Sequence, residues 1–109
     1  GLKGAGAYSA SKHGVLGLIK TYSEEYMGGS ITFNAICPGY VDTPIVDANV
    51  KSMVSKGISE EDAHKMMVNA NRHKRLIQTD EVAQTALWLC SPAAKSINGQ
   101  AIEIAGGKV

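Results

Sequence analysis

Little in this sequence leans to one side. Its 109 residues carry 11 Lys and Arg against 10 Asp and Glu, a formal net charge of +1. Nucleic acid or an anionic membrane surface would call for a clustered excess of cations, and there is none. No apolar run approaches the ~20 residues of a membrane-spanning helix, and no signal peptide is visible. Cysteine is scarce. Cys37 and Cys90 lie far apart, each inside an apolar run, so two buried free thiols in a reducing, cytoplasmic compartment are expected rather than a disulfide. His64 and His73 have no metal-ligand spacing, so no metal site is expected. There is no repeat or low-complexity segment. The length allows one domain at most. An initiator methionine is missing too, and "GLKGAGA" reads as the middle of a loop, so a preceding N-terminal portion is expected.

What is present is periodic. From about Tyr8 to Met27 apolar residues recur at helical spacing (Val15, Leu18, Ile19, Tyr22, Tyr26), and Gly28-Gly29 ends the helix. "SITFNAIC" alternates Ile31, Phe33, Ala35 and Cys37 with Thr32, Asn34 and Ile36, the pattern of a strand with one apolar face. "PGYVDTP" is a loop, because Pro38 cannot continue a central ladder and Gly39 allows a sharp turn. Residues 45–56 suit a short helix interrupted at Gly57. Ser59, with Asp62 three residues on, caps a second helix to about Arg72. Asp80 or Thr79 caps a third helix, with Val82, Ala83, Ala86, Leu87 and Cys90 on one side, stopped by Ser91-Pro92. Asn98-Gly99 is a turn, and "QAIEIA" a final strand running into Gly106-Gly107.

A strand–helix–strand connection of this length implies a parallel pair with a right-handed crossover. Parallel strands are normally covered on both faces and need neighbours. The fold class expected is therefore α/β: the C-terminal portion of a doubly wound, parallel-sheet Rossmann-type domain.

One short stretch carries chemistry. In "GAYSASKHG", Tyr8 and Lys12 stand one turn apart on a single helix face. A tyrosine hydroxyl ionises near pH ~10 in water, and a neighbouring ammonium favours its phenolate. Such a pair suits acid–base work on an alcohol or a carbonyl. The ordinary alternative is a tyrosine packed at a helix start beside a solvated lysine, and spacing does not choose between them. The following strand adds weight. A Pro-Gly at the C-terminal end of a strand lies where open α/β sheets bind ligands. There Gly39 would let backbone approach a flat ring, and Thr43 offers a hydroxyl to an amide or phosphate.

Taken in order, "YSASKHGVLGLIKTYSEEY…ITFNAICPGYVDTP" and "DEVAQTALWLCSP…INGQAIEIAGG" closely resemble the C-terminal half of the short-chain dehydrogenases/reductases. The resemblance spans essentially the whole chain. Within that family the pattern is similar to the 3-hydroxybutyrate and other 3-hydroxyacyl dehydrogenases and to the polyketide ketoreductases. It implies an enzyme that interconverts a secondary alcohol and a ketone, with NAD or NADP as cofactor and no metal. By resemblance Tyr8 is the acid/base, and Lys12 assists it and holds the nicotinamide ribose. Pro38, Gly39 and Val41 would line the nicotinamide, with Val41 backbone groups on its carboxamide, and Thr43 would bond the carboxamide or a phosphate. The insert at about residues 45–72 resembles a mobile substrate lid, with Tyr40, Val46 and Met53 as pocket candidates or ordinary packing residues. The resemblance implies a small alcohol or ketone substrate, with a 3-hydroxyacyl compound as the candidate type, and a homodimer or homotetramer.

The resemblance has gaps. The family's catalytic serine, its glycine-rich phosphate loop and the residue that selects NAD or NADP would all precede residue 1. The N-terminal dinucleotide-binding half is thus expected to be absent, and the isolated chain inactive. "GAGAYS" does not supply the glycine-rich loop, since Ser9 stands in the third glycine position and no strand precedes it. A non-catalytic binding or regulatory protein of the same fold is the rival reading. His13 points about 100° from Lys12 around the helix, toward solvent or a subunit contact. Gly14 and Gly17 weaken a helix unless another helix packs closely there. "NRHKR", residues 71–75, reads as a solvated charged face or an attractor for acidic substrates, and Trp88 as a packing residue.

Overall fold

The computed structural model describes residues 3–107, so the first two residues of the opening loop lie outside the described part. The element order is α1 (Gly6–Glu25), β1 (Ala35–Pro38), α2 (Pro44–Ser55), α3 (Glu60–Ala70), α4 (Thr79–Leu89), a 3-10 turn (Pro92–Ala94) and β2 (Ala101–Ile104). β1 and β2 form a two-stranded sheet. The Ala35 N–H donates to the Gln100 carbonyl (2.8 Å) and the Gly39 N–H to that of Ile104 (2.9 Å), so both strands advance together and the pair is parallel, as expected. Pro38 closes β1 without harming this ladder. Every second N–H from Ala35 faces β2, and the proline nitrogen falls on the other side.

The chain divides into two compact units, Gly1–Ala35 with Trp88–Ile102, and Ile36–Leu87 with Glu103–Val109. In the first, the expected strand over 30–37 starts only at Ala35, where two asparagine side chains take part in the pairing that would precede it. Phe33 N–H donates to Asn98 Oδ1 (2.9 Å), and Asn34 Nδ2 donates to the Ile97 carbonyl (2.9 Å) while its Oδ1 accepts from Gln100 N–H (3.1 Å). Asn98 also donates to the Ser23 carbonyl (3.1 Å), which ties this segment to the end of α1. The rings of Tyr22 and Tyr26 lie 5.6 and 5.5 Å from that of Phe33. Gly99, at φ +70°, is needed twice over, since a Cβ there would also stand 2.7 Å from Ser23 Oγ.

Several packing expectations change. Ser23 is the only residue of α1 that is buried. Val15 and Leu18 are 51% and 53% exposed. A Cβ added at Gly14 or Gly17 would meet open space, so the close helix contact expected there is not made among the described residues. Both cysteines are free, but Cys90 is exposed and Cys37 only half-buried. Cys90 sits at the exposed end of α4, a helix with no buried residue, and Trp88 there is exposed rather than packed.

The second unit holds most of the core: Val46, Ala63, Met67, Ile77 and Ala105 are buried. Helices α2 and α3 pack together. Gly57, at φ +92°, turns the chain between them. The Ser59 cap is as expected, with its Oγ accepting from Asp62 N–H at 3.2 Å. α3 ends at Ala70 rather than Arg72 because Asn71 is already extended. α4 begins at Thr79, so neither Thr79 nor Asp80 caps it. Glu81 reaches back instead, accepting from Gln78 N–H at 2.6 Å. Arg75 grips the same carboxylate with two hydrogen bonds of 2.9 and 2.8 Å. These contacts, the Arg75 bonds first and the Gln78 bond next, lower the Glu81 carboxyl from 4.5 to about 2. The pairing also raises the Arg75 guanidinium above its ordinary value.

Candidate active site

In the first unit, Tyr8 and Lys12 lie one turn apart on α1. The two side chains meet: Lys12 Nζ stands over the Tyr8 ring, 5.4 Å from its centroid. That is within the ~6 Å over which a cation is drawn to an aromatic face. Tyr8 is 59% exposed, so its side chain is not packed into the core. Ser11 Oγ donates to the Tyr8 carbonyl (2.7 Å), and His13 Nδ1 lies 2.8 Å from the Ser9 carbonyl, which turns that ring back along its own helix.

In the second unit, Pro38, Gly39, Tyr40, Val41 and Thr43 follow one another through the turn after β1. Val41 pairs in parallel with Ile77 as an isolated bridge. Ile77 N–H donates to the Tyr40 carbonyl (3.0 Å), and Asp42 N–H to the Ile77 carbonyl (2.8 Å). Since alternate residues of an extended chain face opposite ways, the peptide groups of Val41 point away from Ile77. The Val41 carbonyl accepts from Thr43 Oγ1 at 3.2 Å. Thr43 is also the N-cap residue of α2, without a side-chain cap bond, and Pro44 fits the first turn because its missing N–H would have no helical partner there.

Gly39 has a further reason that the sequence does not show. A Cβ built on it would lie 2.5 Å from Asn71 Oδ1 and 3.2 Å from the Ala105 Cβ. The missing side chain therefore makes room for Asn71, which is 2% exposed. Oδ1 of Asn71 accepts from Tyr40 N–H (2.9 Å), and its Nδ2 donates to the carbonyls of Tyr40 (2.9 Å) and Arg75 (2.8 Å). The "NRHKR" run is thus not a uniformly solvated face. Asn71 is buried, Arg75 is paired with Glu81, and the ring of His73 fills the space where a Cβ on Gly106 would go. Asn71 is the residue that the sequence reading missed. Its visible signal was a single amide at the head of a charged run, which is no signal by itself.

A concavity of about 280 Å³ borders Gly39, Tyr40, Asn71, Arg72, Lys74 and Ala105. Of the three residues expected to line a substrate pocket, only Tyr40 borders it. Val46 is 3% exposed and belongs to the core, which is the packing alternative, and Met53 is half-buried on α2. Among the described residues, no group of three or more His, Cys, Asp or Glu could hold a metal ion. No described helix is long and apolar enough to cross a membrane.

Comparison with known proteins gives a consistent answer. The family model described as enoyl-(acyl carrier protein) reductase matches residues 1–108. A D-beta-hydroxybutyrate dehydrogenase of Rhizobium meliloti is 38% identical over 103 residues, covering 93% of this chain and 40% of the relative. Among solved structures, an actinorhodin polyketide ketoreductase with NADPH superposes with a TM-score of 0.87 at 35% identity, over 98% of this chain and 41% of the other. A short chain dehydrogenase family protein from Francisella tularensis does so with a TM-score of 0.89 at 29% identity, over 98% and 45%. The chain therefore spans less than half the length of the relatives it matches.

Proposed function

The chain belongs to the short-chain dehydrogenase/reductase family, and from that premise we propose that it is the C-terminal half of an NAD(P)-dependent oxidoreductase interconverting a secondary alcohol and a ketone. A 3-hydroxyacyl compound is the substrate class proposed, on the strength of the hydroxybutyrate dehydrogenase and ketoreductase relatives. The dinucleotide-binding half would lie N-terminal to residue 1, which agrees with the 40% share of its relative that the chain covers. A homodimeric or homotetrameric assembly belongs to the same reading, supported by the exposed Val15 and Leu18 on α1.

The observation that carries the reading is the exposed Tyr8 side chain with Lys12 Nζ over its ring. Tyr8 passes a proton to the carbonyl oxygen in reduction and takes it back in oxidation. The ammonium of Lys12 stabilises the phenolate that this leaves, and offers N–H donors to the cofactor ribose. When bound, the nicotinamide supplies or accepts the hydride. Its carboxamide needs a donor and an acceptor, and the site after β1 fits it: the Val41 peptide faces away from Ile77, with the Thr43 hydroxyl beside it. Pro38 and Gly39 provide a flat backbone wall.

Replacing Tyr8 with Phe in the intact enzyme keeps the ring and removes only the transferable proton. Turnover should fall by about 10²–10⁴-fold or more while NAD(P)H still binds. Near-normal activity of Tyr8→Phe would sink the assignment and leave the non-catalytic alternative standing.

A further inference from the structure

Beyond β1 the backbone is held from one side, and the way it is held singles out Asn71. The bridge between Val41 and Ile77 uses the Tyr40 carbonyl and the Asp42 N–H. Were the parallel pattern continued by one register, the Tyr40 N–H would donate directly to the carbonyl of Arg75, two residues before Ile77. It does not. The amide of Asn71 stands between them, accepting from Tyr40 N–H at 2.9 Å and donating to the Arg75 carbonyl at 2.8 Å. Its second N–H donates to the Tyr40 carbonyl at 2.9 Å, so both peptide groups flanking the Tyr40 Cα are gripped by one side chain. This relay sets the distance between the 40–42 and 75–77 segments.

Three features of the local chain exist to seat that amide. Gly39 leaves the space that Oδ1 fills. Asn71 leaves α3 in an extended conformation, at ψ 139°. Lys74, whose N–H donates to the Asn71 carbonyl at 3.0 Å, turns the chain back at φ 59°, among the described residues the only positive φ outside glycine. Such a backbone costs about 1–2 kcal/mol relative to glycine, so the turn is held against a local preference.

We propose that Asn71 is a positioning residue for the cofactor: by fixing Tyr40 it sets where the peptide groups of Val41 meet the nicotinamide carboxamide. This rests on the proposed function, since it takes the turn after β1 as the nicotinamide wall. Asn71 itself touches no reactant. Because its effect runs through the nicotinamide end alone, removing it should divide the two ends of the cofactor.

The test measures affinity for NAD(P)H and for the matching ADP-ribose, which lacks nicotinamide, by calorimetry on the intact enzyme and on Asn71→Ala. The expected result is about a tenfold loss for NAD(P)H, the equivalent of one freed hydrogen-bonding group, with ADP-ribose unchanged within about twofold. An equal loss on both ligands would assign Asn71 to the fold in general and overturn the proposal, as would no loss on either. If Asn71→Ala does not fold, Asn71→Ser, which keeps a small hydrogen-bonding group, is read the same way. Failure of both to fold would likewise assign the residue to the fold. A parent protein that binds neither ligand overturns the functional reading along with the proposal, whereas a parent that binds both, with an unchanged ratio in the variant, overturns the role of Asn71 alone.

Discussion

Gly39→Ala asks whether the glycine after Pro38 is dictated by Asn71. Gly39 is not among the positive-φ glycines, so alanine brings no backbone strain there and its whole effect is contact. The new Cβ would lie 2.5 Å from Asn71 Oδ1, where ordinary contact begins at 3.4 Å. Moving Oδ1 away by the roughly 0.9 Å required stretches the Tyr40 N–H bond well past the ~3.2 Å limit of a good N–H···O bond. Asn71 is buried, so an acceptor and a donor are left without partners, at about 1–3 kcal/mol. The tight contact with the Ala105 Cβ adds about 1 kcal/mol of overpacking. Gly39→Ala should therefore cost ~2–4 kcal/mol. With Asn71 already replaced by Ala, the oxygen and its bond are gone, and the same substitution should cost only ~1 kcal/mol. A double-mutant cycle by urea denaturation of the intact enzyme reads the difference as a coupling of about 1–3 kcal/mol. If the two substitutions add to within ~0.5 kcal/mol, Asn71 does not dictate the glycine and the reasoning fails.

Lys74→Gly should stabilise the protein by roughly 0.5–1 kcal/mol, because relief of the left-handed backbone at φ 59° exceeds the extra freedom glycine gains when unfolded. A lower urea midpoint for this variant would contradict that. Glu81 ionises at about 2 when folded, so its pairing favours the native state above its ordinary value of 4.5, and that advantage is lost as pH falls between the two. The stability difference between the wild type and Glu81→Gln should be constant near neutral pH and shrink from pH ~4.5 down toward 2, by chemical denaturation at several pH values. A difference that does not change across that window would show that the Arg75 contact is not formed in solution.

Local signals in the sequence determined a good deal. Ser59 and Asp62 bracket the start of α3 because a cap needs one hydroxyl and one N–H three residues apart, a relation within a single turn. The Tyr8–Lys12 contact is of the same kind, since four residues on one helix face bring two side chains together whatever surrounds them. Parallel pairing of β1 and β2 followed from the length of chain between them. What the tertiary structure alone decided is each relation between distant residues. Nothing near position 39 announces that its glycine serves an asparagine 32 residues on, and nothing near Asn71 announces a backbone partner at Tyr40. Likewise, Asn98 from across the chain takes the Phe33 N–H, and Asn34 beside β1 bonds the distant Ile97 carbonyl, where the sequence pattern assigned a strand. Periodicity reports which face of an element is apolar. Which neighbour meets that face, and which buried polar group needs which partner, is settled only when the chain has folded.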